Sequence, residues 1–169
     1  MSVSKQCVIS NGCVPDARTD LGFVIEIGDD YILSNNVVLS CRNGSVSIGQ
    51  PVGNGAQTII HVVNSRIVEM DPDDMIGSRS YLAGGGNRDT GRLDVPISQQ
   101  GLKQETRVRL GCDSWLGAKV SLLPEADIGT GSIVAGRAVV TTDIVEAGIA
   151  MGASANTTRI RGAEQQASG

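Results

Sequence analysis

From Leu110 the chain repeats every six residues, reading LGCDSW, LGAKVS, LLPEAD, IGTGSI, VAGRAV and VTTDIV. The first slot holds Leu110, Leu116, Leu122, Ile128, Val134 and Val140 without a slip. The fifth slot holds Ser114, Val120, Ala126, Ser132 and Ala138, all small or β-branched, until Ile144 ends the run. A period of six cannot keep one face of an α-helix buried, and glycines at 111, 117 and 129 weaken a helix further. The period suits a triangular coil, with three hexads per turn and each hexad giving a short flat strand and a corner. The aliphatic slot points inward and stacks on its counterpart three hexads later. The fifth slot also points inward, beside a corner that admits only a small side chain. Neighbouring coils then lie about 4.8 Å apart.

Such a solenoid accounts for an unusual composition. Hydrophobic residues make up 40% of the chain, yet the aromatics are one Trp, one Phe and two Tyr. A globule of this size leans on aromatics for buried area, whereas a narrow coil is filled by aliphatic layers. Glycine, at 22 of 169 residues, supplies the corners.

The period continues upstream in broken form. Ile9, Leu21, Ile27, Leu33 and Leu39 keep one frame, with Pro15 in the slot between, and Ile48 restarts it with an offset of three residues. Met70, Ile76 and Leu82 form another run. The distance from Met70 to Leu110 is one coil plus an insertion, placed at about 83–109, AGGGNRDTGRLDVPISQQGLKQETRVR. Its three consecutive glycines read as the hinge where the loop leaves the coil. The fold expected is all-β: a parallel β-helix solenoid of about six coils, roughly 30 Å long at the strand spacing, with one long loop excursion. One β-helix domain is expected over 1–162, with a flexible tail over 163–169.

The net charge of −4 disfavours a nucleic-acid surface, which needs a basic face. No run approaches the length of a membrane-spanning helix, so no membrane insertion is expected. The N-terminus lacks the apolar core of a signal peptide. Cysteines at 7, 13, 41 and 112 are not spaced as a zinc knuckle or redox pair and read as reduced, small hydrophobes of a cytoplasmic protein. One histidine cannot build a His-rich metal site within one chain, so no metal is expected. MDPDDM at 70–75 lacks the glycine and distal glutamate of a calcium loop and reads as a corner turn.

VRLGCDSWLGAKVSLLPEADIGTGSIVAGRAVVTTDI resembles the hexapeptide-repeat acyltransferases. It is similar to the C-terminal coils of sugar, maltose and xenobiotic O-acetyltransferases. IGDDYILSNNVVLS and the loop with DVPISQQG match more weakly, and the resemblance spans about 25–161. It implies a left-handed coil, a homotrimer with active sites between neighbouring copies, acetyl-CoA or another acyl-CoA as co-substrate, and a sugar or polysaccharide precursor as acceptor.

Acyl transfer from a thioester to a hydroxyl needs a base for the hydroxyl proton and a donor for the oxyanion. The family carries its basic histidine on or beside the long loop. Here Arg88 of GGGNRDTGR stands at about that position, and a guanidinium stays protonated near neutral pH. That departure also fits a catalytically silent β-helix serving as a binding or assembly module. His61 of TIIHVVNSR is the other candidate base. If Ile60 points inward, His61 points outward, as a base or as a plain surface histidine. Trp115 matches the family's cofactor-groove tryptophan and is expected at the corner after Ser114. Gly117, Ala118, Ala135 and Gly136 fall where a pantetheine arm would pass, although a tight corner demands small residues equally. Thr142 stands where the family often has lysine. Arg159 and Arg161 stand where basic residues meet the CoA 3′-phosphate, or are simply solvated.

Overall fold

Each hexad forms one short strand, and the strands stack into a triangular prism. The structure, a computed structural model, describes residues 2–3, 7–18, 25–63, 66–86, 88–103 and 107–163. Coil one comprises β1 (Ser2–Val3), β2 (Val8–Ile9) and β3 (Val14–Arg18); coil two comprises β4 (Ile25–Ile27), β5 (Ile32–Leu33) and β6 (Val38–Arg42). Coil three comprises β7 (Ser45–Ile48), β8 (Gly53–Asn54) and β9 (Ile59–Val63); coil four comprises β10 (Ile67–Met70), β11 (Met75–Ile76) and β12 (Tyr81–Gly84). After a 3₁₀ turn at Ile97–Gln99 come β13 (Arg107–Leu110), β14 (Trp115–Leu116) and β15 (Ser121–Leu122), then β16 (Asp127–Ile128), β17 (Ile133–Val134) and β18 (Val139–Val140). First strands of the coils make face A, second strands face B and third strands face C. β19 (Gly148–Met151) extends face B in parallel, and β20 (Asn156–Ile160) turns back antiparallel to it. Among the described residues no helix is long and apolar enough to cross a membrane.

The register is the one the repeat requires. Leu110 pairs with Ile128, Leu116 with Val134 and Leu122 with Val140, and all six are fully buried. Leu21 of the upstream frame lies outside the described residues, as do positions 164–169 of the tail. Pro15 does stack on Leu39. One inward slot breaks the aliphatic rule: Asn54 lies between Leu33 and Ile76.

Two features make the corners. The fourth hexad residue adopts a left-handed backbone, as at Asp73 (φ 67), Arg79 (φ 63), Asp113 (φ 57), Lys119 (φ 63) and Arg137 (φ 66). Its N–H then reaches a carbonyl of the preceding coil, as Lys119 N–H does to Ser78 O at 2.9 Å. The glycine after the aliphatic slot answers to stacking. A Cβ on Gly117 would lie 2.6 Å from Gly136 N, and one on Gly77 2.5 Å from Ala118 N. Those obstacles are backbone held in the coil ladder, so they cannot step aside. We expect Gly117→Ala to cost about 1–3 kcal/mol, read as a lowered denaturation midpoint with unchanged slope.

Every step from face A to face B, and from B to C, takes six residues, as from Met70 to Ile76 to Leu82. All extra length falls at the C-to-A corner. Leu39 to Ile48 takes nine residues and Ile60 to Met70 takes ten. Leu82 to Leu110 takes twenty-eight, which is the excursion. Its limbs start after Gly84, the end of β12, and finish before Arg107, the start of β13, so Ala83 and Arg107–Arg109 belong to the coil.

The faces differ in character. Face A presents Glu69, Arg107, Arg109 and Asp127, linked by ion pairs, with Arg109 also 2.5 Å from Asp71. Face B presents a single apolar file through Val8, Ile32, Gly53, Met75, Trp115 and Ile133. Face C presents Val14, Val38, Ile59 and Tyr81 beside a more polar file through Asp16, Ser40 and His61.

Candidate functional site

β9 runs past its hexad because the C-to-A corner is long in coil three. Ile60 and Val62 are fully buried, so alternation sends His61 outward from face C, where it is half-buried. Ser40 of β6 and Ala83 of β12 are its neighbours on either side. Ala83 also points outward from face C, yet it is only 4% exposed.

The excursion departs directly beside the histidine. Gly84 turns inward, where a Cβ would strike Val68 Cγ2 at 2.7 Å, and Gly85 (φ +100) and Gly86 (φ +98) then swing the chain out through backbone conformations that glycine alone adopts freely. The returning limb is tied to the same corner, since Arg66 Nη2 donates to Lys103 O at 2.9 Å. Between the limbs Gln100 staples the loop: its Oε1 accepts from Arg92 N (2.9 Å) and its Nε2 donates to Arg92 O (2.7 Å) and Val95 O (3.0 Å).

Arg88 lies within the excursion, exposed, bridging Leu102 and donating to Ser98 O at 3.2 Å. Asp16, on the file that holds Ser40 and His61, is engaged by Arg18 at 2.8 Å and Arg42 at 3.9 Å. Cys41 points into the core, and burial pushes its thiol pKa up, which suppresses the thiolate a nucleophile needs. His61 is therefore the side chain at this corner suited to take a proton near neutral pH.

The cofactor candidates gather at the other end of the molecule. Trp115 stands on the flat of face B in β14, not at a corner, and is 48% exposed. Gly117, Ala118, Ala135 and Gly136 form the adjoining B-to-C corner, in coils five and six. Arg159 lies opposite Ile149 at the end of face B. Arg161 folds back to Asp113 at 2.7 Å and to Gly131 O at 3.2 Å. Thr142 follows β18 on the C-to-A side, apart from these residues. His61 is two coils away and on a different face, so no single copy unites it with Trp115.

Two features had no sequence signal. Asp74 was expected in a corner turn, and only Asp73 is there. The Asp74 carboxyl points inward at 1% exposure; its Oδ1 accepts Ser114 N–H at 3.0 Å, and its Oδ2 has no partner. A pocket of about 290 Å³ opens on face B where Gly53 has no side chain, lined by Asp30, Ile32, Pro51, Asp73 and Met75 among others.

No family model matches the sequence. The chain is 28% identical over 152 residues to a probable acetyltransferase of Mycobacterium tuberculosis, covering 90% of this chain and 47% of that protein. It is 30% identical over 138 residues to a putative acetyltransferase of Saccharomyces cerevisiae, covering 82% of this chain and 57% of that one. The chain thus spans about half the length of the curated relatives it matches. Among solved structures it superposes on AntD, an N-acyltransferase from Bacillus cereus in complex with dTDP and coenzyme A, with TM-score 0.79, 23% identity, and coverage of 98% and 86%. A hexapeptide transferase family protein from Anaplasma phagocytophilum gives TM-score 0.64 at 14% identity, with coverage of 96% and 84%. Those structures share the coil, the acetyltransferases share sequence along most of its length, and the repeat underlies both; the chain belongs to the hexapeptide-repeat acyltransferase family.

Proposed function

We propose that the protein is a cytoplasmic, acyl-CoA-dependent acyltransferase that acetylates a sugar or polysaccharide precursor, with His61 as general base. The observation that carries this is the position of His61, outward on β9 and paired with Ala83, where the excursion leaves the coil. In the reaction, the acceptor oxygen attacks the thioester carbonyl as His61 takes its proton. The carbon–sulfur bond breaks, and the CoA thiolate leaves with that proton. AntD is an N-acyltransferase bound to dTDP and coenzyme A, which supports a sugar nucleotide as the acceptor class; we place the transfer on a hydroxyl.

The co-substrate's proposed seat is the end of face B, where Trp115 offers an exposed wall, Gly117, Ala118, Ala135 and Gly136 leave a shallow corner, and Arg159 and Arg161 supply positive charge. His61 and this seat lie on different faces two coils apart, so one copy's base serves its neighbour's groove. That separation supports the homotrimer.

Arg88 favours a second reading. If the loop position is the one that matters, the protein is a catalytically silent binding or assembly module. Calorimetry with CoA separates the two. On the leading reading wild type binds CoA, Trp115→Ala weakens binding about tenfold or more, and Arg159→Ala with Arg161→Ala flattens its salt dependence. A wild type that takes no CoA removes the enzyme.

A further inference from the structure

Face B is the flat side of the prism. Both of its corners keep six-residue steps in every coil, whereas faces A and C each border the corner that varies in length. Its file of outward residues is apolar, with Val8, Ile32, Met75 and Trp115 each about half exposed. The left-handed residues of its A-to-B corner include Asp30, Asp73 and Asp113, and those of its B-to-C corner include Arg79, Lys119 and Arg137. One edge is thus acidic and the other basic. Coils four and five carry both signs at the same level, Asp73 with Arg79 and Asp113 with Lys119.

We infer that face B is the surface by which copies of this chain meet, all pointing the same way, the acidic edge of one against the basic edge of the next. The inference rests on the homotrimer reading above and adds to it the face, the direction and the charge pairs. A rotation axis parallel to the coil and in front of face B keeps each coil at its own level. It brings the A-to-B corner of one copy to the B-to-C corner of its neighbour. Asp73 then opposes a neighbour's Arg79, and Asp113 opposes a neighbour's Lys119. Copies pointing in opposite directions would set acidic edge against acidic edge, which is repulsive. The apolar file closes against its counterparts around the axis and supplies the buried area. The pocket beside Gly53 fits the same scheme, because its Ile32 and Met75 walls accept the aliphatic stem of a basic side chain whose charge reaches Asp30 and Asp73. Asp113 already holds Arg161, but that pair is exposed and weak. Trp115 lies in the file and at the co-substrate seat, as a site between copies requires.

Sedimentation of four proteins tests this: wild type, Asp73→Lys with Asp113→Lys, Arg79→Glu with Lys119→Glu, and all four substitutions together. These backbone positions already hold lysine, arginine and, at Glu125 (φ 73), glutamate, so the variants carry no new strain. Each double variant is expected to assemble at least about tenfold more weakly, and the fourfold variant to recover assembly, which a folding defect would not allow. A 1:1 mixture of the two doubles satisfies an even ring but leaves a three-membered ring with one like-charged contact, so recovery there stays incomplete. If the wild type is trimeric and both doubles match it, the face is wrong and the trimer stands. If the wild type is monomeric at micromolar concentration, both ideas fall.

Discussion

His61→Ala is expected to lower acetyl transfer by about 10²- to 10⁴-fold, the usual contribution of a positioned general base, with CoA affinity unchanged. The assay is thiol release from acetyl-CoA across a panel of sugars and sugar nucleotides. The size follows from what else the corner offers. Asp16 is occupied by Arg18 and Arg42, the Cys41 thiol is buried, and Arg88 keeps its proton. Without the imidazole, water alone receives the acceptor proton. His61 points outward into a half-buried position between Ser40 and Ala83, so its loss opens no core cavity and the melting temperature should hold. Full activity in His61→Ala would show that the base lies elsewhere. Activity gained only by Arg88→His would place the base on the excursion and mark the natural protein as the silent module.

Asp74→Asn is expected to stabilise the protein at alkaline pH by up to about 4 kcal/mol, from three pKa units at 1.36 kcal/mol each, and to leave it unchanged near pH 4. Burial raises the Asp74 carboxyl from 3.8 to about 7. Below pH 4 folded and unfolded chains both hold the proton, so nothing is lost. Between about 4 and 7 the unfolded chain releases it while the folded chain keeps it, and stability falls as pH rises. Above about 7 both forms are ionised and the full penalty persists. Asparagine keeps an acceptor for Ser114 N–H and carries no charge. Denaturation midpoints of the two proteins from pH 4 to pH 9 should start together and diverge. Parallel curves would mean that Asp74 reaches water in the native state.

Most of the coil could be read from the chain because its interior is a stack of like on like. An uninterrupted aliphatic slot from Leu110 to Val140 permits one register only, and the three-residue offset at Ile48 located the longer corner. GGG marked the hinge because two of its three residues need positive φ. What escaped was whatever broke the polarity rule. Asn54 fills an aliphatic slot, its Nδ2 donating to the Tyr31 hydroxyl. Asp74 fills a small slot inside a run of aspartates that looks solvated throughout. Trp115 was expected at a corner and lies on a flat face, since the fifth slot before it ends the turn. The site was less legible than the fold. His61 was found by its residue type, but its approach to Ala83 depends on a strand pairing across the C-to-A corner, and the pairing of Arg161 with Asp113 joins residues far apart in the chain.

Two edges of the prism are stacked backbone to backbone, where even a methyl group meets an obstacle, and the third takes from zero to more than twenty additional residues without disturbing the level of any coil. Height and girth are therefore inherited separately. New loops can be spliced in along that one margin, trimmed or exchanged, while the pitch that aligns each coil with its neighbours stays constant. Diversification of what the molecule recognises is confined to a single strip of its surface, the strip on which its histidine already stands.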